Sequence, residues 1–169
     1  MRNRFIKAWP NRFVAVLIGI IGALLMSALL LTGRLMGVSS LRLEEVLGIL
    51  LTGNPASSWV FPLGLAWHII NGGVFGLVYS ACFKKLERGG ASTGAALGAA
   101  HWLMASLFLG LLLAARSVFP SHIAAEEIFG GSESFGFFLL AHFLFGAVLG
   151  AFFQSINIQT MPITPEVAA

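Results

Sequence analysis

Four stretches of this chain carry no Asp, Glu, Lys or Arg: 13–32, 59–83, 91–115 and 135–154, of 20, 25, 25 and 20 residues. A helix of about 20 residues crosses the roughly 30 Å hydrocarbon core of a bilayer. In lipid, backbone N–H and C=O groups have to find partners inside their own segment, which leaves helices as the conformation for such runs. The expected fold class is therefore all-α integral membrane, with four transmembrane helices. Composition agrees: 57% of residues are hydrophobic and 10% charged, with a mean hydropathy of +0.89, whereas soluble domains carry about 25% charged residues. The net charge of +3 resides almost wholly outside the apolar runs and gives no indication of nucleic-acid binding.

The basic head of Arg2, Arg4, Lys7 and Arg12 precedes the first run. A secretory signal would have the same order, but its apolar core is about 7–15 residues and ends at a small-residue cleavage site. Residues 13–32 are too long for that and read as an uncleaved first span. The head, together with Lys84, Lys85 and Arg88 between the second and third runs, places seven basic residues on one side. Positive loops stay in the cytoplasm, so both termini are expected there, in a multi-pass protein of the cell's inner (plasma) membrane, with 155–169 as a polar cytoplasmic tail. Arg34, Arg42, Arg116 and five glutamates fall on the other side. The lone Cys82 allows no disulfide or thiolate cluster.

The two outward connections are more than loops. Residues 39–51 (SSLRLEEVLGILL) open on serines suited to a helix N-cap, then mix apolar and charged positions. They read as a short helix lying at the membrane interface with its glutamates in water. Residues 121–130 (SHIAAEEIFG) have the same character.

These connections take part in an internal repeat. Glu44-Glu45-Val46-Leu47-Gly48 matches Glu126-Glu127-Ile128-Phe129-Gly130, and HxxxGxxxG occurs as His68, Gly72, Gly76 and again as His142, Gly146, Gly150. Met26-Ser27-Ala28 is echoed by Met104-Ala105-Ser106. Two tandem units of helix, interfacial segment and helix, 13–83 and 91–154, are expected within a single membrane domain, related by a pseudo-twofold axis along the membrane normal.

An ionisable side chain at membrane depth is a functional candidate. His68 and His142 are nine and seven residues into their runs, roughly 10–14 Å below the outer surface, and His101 is about 15 Å in from the opposite side. The three converge on one layer. The sharp reading is a tetrapyrrole, haem b or a chlorophyll-type pigment, ligated by His68 and His142, with His101 nearby and with Gly72 and Gly146 clearing space for the macrocycle one turn away. Arg34, Arg42 and Arg116 would meet its propionates. The pattern resembles helical b-type cytochromes in its chemistry alone. The competing reading makes the histidines interhelical hydrogen-bonding groups of about 0.6 kcal/mol each, and the glycines packing residues. A divalent cation held by Glu44, Glu45, Glu126, Glu127 and His122 has suitable donors, but glutamates at the interface would lie more than a turn above His68 and His142.

No phosphate loop, HExxH helix or GxSxG elbow is present, and serines 39, 40, 57, 58, 132 and 134 have no His–acid pair placed to activate them. Catalysis of its own is not expected. Three functions compete: an accessory subunit packed in a larger membrane complex or homo-oligomer, with or without a tetrapyrrole; a haem electron-transfer protein; and a small transporter or channel, for which four glycine-packed helices leave little room unless the protein oligomerises, the charge-free spans also weighing against ion pumping.

Overall fold

The computed structural model describes residues 11–114 and 131–159. Among the described residues the chain forms five α-helices and no strand: α1 (Arg12–Leu35), α2 (Leu43–Thr52), α3 (Val60–Leu86), α4 (Ala91–Ala114) and α5 (Gly131–Gln159). Four of them, α1, α3, α4 and α5, are long and apolar enough to cross a membrane. The protein is a multi-pass membrane protein. We call the end of the bundle where α1 finishes and α3 begins distal, and the opposite end proximal.

The helix ends follow local chemistry. Asn11 caps α1, its side-chain oxygen accepting from the Val14 N–H at 2.9 Å. Past the ends of α1 and α2 come Gly37 and Gly53, both in the left-handed region that favours glycine. At the proximal end α3 passes into α4 within a few residues, and the Gly90 N–H donates to the Gly150 carbonyl at 3.1 Å.

Glycines fix how the spans pair. A Cβ on Gly19 of α1 would strike the backbone of Gly72 and Gly76 on α3; one on Gly94 of α4 would strike Gly146 and Gly150 on α5. Where lipid surrounds both helices, small residues drive association by letting backbones approach. Gly19 and Gly94 stand 75 positions apart, as do Ala15 and Gly90, and Gly72 and Gly146 stand 74 apart. Within each pair the contacts therefore recur at matching places. That register puts Met26 opposite His101 rather than Met104, so the Met26-Ser27-Ala28 match to residues 104–106 is out of step by three. The second segment expected to face outward, with Arg116, His122, Glu126 and Glu127, lies outside the described residues.

The segment 39–51, expected to face outward, departs from its expected form. Its helix starts at Leu43, not at the serines: Ser39 Oγ accepts from the Leu41 N–H at 3.3 Å, and the Ser40 N–H donates to Ser134 Oγ on α5 at 2.8 Å. Nor does α2 lie on the surface. Gly48 meets the Val60 backbone, and Gly64 meets the Glu44 carbonyl, so α2 packs antiparallel and very close to the distal half of α3. That approach turns Leu43, Glu44, Val46, Leu47 and Ile49 inward. Glu44 is 6% exposed.

Around the bundle, α3 packs on α1, α1 on α5, and α5 on α4, whereas α3 and α4 hardly meet along their backbones. A cleft remains between those two helices in the distal half.

Candidate functional site

The cleft holds a cavity of about 370 Å³. Its walls come from all five helices and are mostly apolar, with Met26, Leu47, Phe108, Phe138 and Phe145 among them. Into it project His68 from α3, His101 from α4 and His142 from α5, along with Asn71 and Trp67. Met104 and Phe108 line it and are also about half exposed, at 51% and 50%. Among the described residues, the mouth thus lies between α3 and α4 and faces the surroundings of the bundle, the bilayer of a membrane protein.

Each histidine is held differently. His142 is buried, and its Nδ1 is 2.9 Å from the Phe138 carbonyl one turn back. A carbonyl only accepts, so that nitrogen carries the proton. His68 has its Nδ1 2.8 Å from the Ser27 hydroxyl of α1 and 3.6 Å from Oε1 of Glu44. The carboxylate too can only accept, which again favours the Nδ1–H tautomer. Among the described residues neither Nε2 makes a hydrogen bond, and both rings line the cavity. His101 lies flat on Phe75, ring centroids 3.6 Å apart, and meets His142 edge to face at 4.8 Å. Its Nδ1 is buried without a partner. The Phe75–His101 pair is the one ring stack that bridges α3 and α4 among the described residues, and it floors the cavity.

Glu44 is the residue that sequence reasoning misplaced. Burial alone would raise its carboxyl, but the His68 imidazole and the Ser27 hydroxyl outweigh burial and hold it below the usual 4.5. The carboxyl is therefore ionised near neutrality. Arg34 and Arg42 do not reach it: both pair with Glu45, at 3.6 and 3.1 Å. The same two arginines line a separate, more polar hollow at the distal end with Glu133 and Ser134, so neither stands over the histidine cavity as a propionate partner would. Gly48, one turn beyond Glu44, already marked that face of α2 as packed.

At the two glycines expected to clear a macrocycle, other helices stand close beside the backbone. Beside Gly72 the space is taken by Ala23 and Gly19, and beside Gly146 by the Gly94 backbone. Gly72 still touches the cavity; Gly146 is not among its lining residues. Both act in helix packing.

Ser27, His68 and Glu44 do not make a nucleophilic relay. In such a relay the acid binds Nδ1 and the serine Nε2; here both stand at Nδ1. No group of three or more His, Cys, Asp or Glu side chains converges closely enough for a metal ion among the described residues. Comparison with known proteins adds nothing to this geometry: no family model matches the chain, and no curated protein or solved structure matches it either.

Proposed function

We propose that the protein is a membrane-embedded binding protein whose site is the distal-half cavity between His68, His101 and His142. The observation that carries this reading is that His68 and His142 both line one mostly apolar cavity with their Nδ1 atoms tied down, while neither Nε2 has a hydrogen bond among the described residues. Mostly apolar walls with a few convergent polar groups are the usual make-up of a small-molecule site. The mouth between α3 and α4 would admit a ligand dissolved in the bilayer. Ligands co-purifying with the protein in lipid nanodiscs, identified by mass spectrometry after denaturation, test it: they should be lost together from His68→Ala and His142→Ala. Retention of the same molecules by both variants would remove the site.

A tetrapyrrole is a second reading of the same cavity. It is favoured by the Nδ1 contacts, because histidines that bind metal generally donate their other N–H to a carboxylate or carbonyl. His68 and His142 would be the axial ligands and His101 a neighbour. A Soret band in protein from haem-replete cells, abolished in either His→Ala variant, is the expected sign; a colourless preparation eliminates it.

We read the two helix pairs as copies of one unit about an axis along the membrane normal, on the strength of the matching glycine register. Seven basic residues favour a cytoplasmic proximal end in a plasma membrane. The accessory-subunit reading rests on exposed apolar surface alone, which lipid covers equally well.

A further inference from the structure

Among the described residues no Lys or Arg pairs with the Glu44 carboxyl. Its Oε1 is buried, is without a hydrogen bond among the described residues, and stands 3.6 Å from Nδ1 of His68. Arg34 and Arg42 are committed to Glu45. Taking a carboxylate out of water costs several kcal/mol unless an opposite charge compensates. His68 links this carboxylate to the cavity: its Nδ1 is 3.6 Å from the acid, its ring lines the cavity, and its Nε2 has no hydrogen bond among the described residues. An imidazole in that tautomer passes on the preference of the acid: its free nitrogen accepts, and it accepts best from a positively charged donor. Beyond it stand Trp67, Phe75, Phe108 and Phe138, and aromatic faces attract cations.

We propose that the cavity takes a lipid-soluble amine in its protonated form, with its N–H donating to Nε2 of His68 and its apolar groups against the aromatic walls. The ammonium charge is then balanced by Glu44 through the imidazole. His142 differs in kind: its Nδ1 faces a neutral carbonyl, so it can accept from a ligand but has no acid behind it. Of the two HxxxGxxxG histidines, only His68 is equipped to hold a cation. This inference rests on the reading of the cavity as a binding site.

Three probes of one shape test it on the full chain in lipid nanodiscs. They are N-methyldibenzylamine, its carbon isostere 2-methyl-1,3-diphenylpropane, and the quaternised N,N-dimethyldibenzylammonium, with concentrations referred to the lipid phase. Tryptophan fluorescence reads binding, and a Trp67→Phe variant confirms that the signal comes from the cavity. At neutral pH the tertiary amine is expected to bind at least 10-fold more tightly than the isostere and than the quaternary ion, which carries charge but no N–H. In Glu44→Gln the advantage over the isostere should vanish while binding of the isostere stays. Equal affinity for amine and isostere in the unmodified protein, which needs no variant to fold, overturns the inference and leaves the binding site standing. Equal affinity for tertiary and quaternary ions overturns the donor role towards His68. If none of the three probes gives a signal that depends on Trp67, the inference fails along with the cavity reading.

Discussion

The imidazole of His101 lies face to face with the ring of Phe75, centroids 3.6 Å apart and planes 23° from parallel. With the edge-to-face contact of Tyr79 on the same imidazole at 6.1 Å, this stack ties together two helices that are consecutive in the chain but hardly meet along their backbones. Aromatic pairs contribute about 0.5–1.5 kcal/mol beyond the area they bury. Phe75→Leu keeps most of the bulk and removes the stack. It is expected to cost about 1 kcal/mol in reversible unfolding by denaturing detergent, and to broaden His101 ring resonances in NMR. An unchanged unfolding curve would mean the stack is incidental.

Glycine positions separate into two classes that substitution should distinguish. Gly146 has the Gly94 carbonyl where its Cβ would be, and Gly94 has the Gly146 carbonyl. Gly110 and Gly136 have nothing within 4 Å. Gly146→Val is expected to lower stability by about 1–3 kcal/mol or more through overpacking. Gly110→Ala should raise it, since mid-helix glycine costs about 0.5–1 kcal/mol relative to alanine. Thermal unfolding of the two variants side by side checks this. Comparable losses in both would show that the interhelical contacts are not the constraint.

Ser27 and Ser155 offer a matched pair. Ser27 Oγ reaches His68 across the α1–α3 contact at 2.8 Å, whereas Ser155 Oγ only bonds the carbonyl of Ala151 in its own helix at 2.9 Å. Ser27→Ala is expected to destabilise by about 0.6 kcal/mol, the average for a polar contact between membrane helices, and to move the His68 Nδ1 resonance. Ser155→Ala should do neither.

The acid limb of stability should carry the signature of Glu44. Its carboxyl is held below 4.5, the value it has unperturbed. A group whose pKa falls on folding stabilises the fold above its unfolded value and loses that contribution as pH drops through the folded value. The gap in melting temperature between the native chain and Glu44→Gln is therefore expected to be widest at neutral pH, to shrink once pH passes below 4.5, and to close in stronger acid. A gap that does not vary with pH would show that folding leaves this carboxyl unshifted, and one that narrows as pH rises above 4.5 would show Glu44 protonated in the fold.

The spans and the layer of histidines could be read from residue types, because charge-free runs and rise per residue are one-dimensional quantities. Counting in from each end brought His68, His101 and His142 to one depth, and all three line one cavity. The position of Glu44 could not be read in the same way. Arg42 and Glu45 beside it signalled a wetted face, and those two do remain at the distal end with Arg34. Only the three-dimensional approach of Gly48 and Gly64 turns the next carboxylate inward. Likewise, glycine one turn from a histidine suggested space for a flat ligand; whether that space is used by a ligand or by another helix depends on which face the partner helix covers. Periodicity leaves that choice open, and here the partner helices take it.

The sparse meeting of α3 and α4 has a consequence for how the molecule is held together. Each of these helices gets its close backbone contacts from an earlier or later helix: α3 from α1 and α2, α4 from α5. The peptide bond joining Arg88 to Gly89 therefore links two bodies that are each already paired internally and adhere through α1 and α5. Cut there, residues 1–88 and 89–169 produced as separate polypeptides in one cell should find each other in the bilayer, co-elute, and rebuild the compartment at their junction.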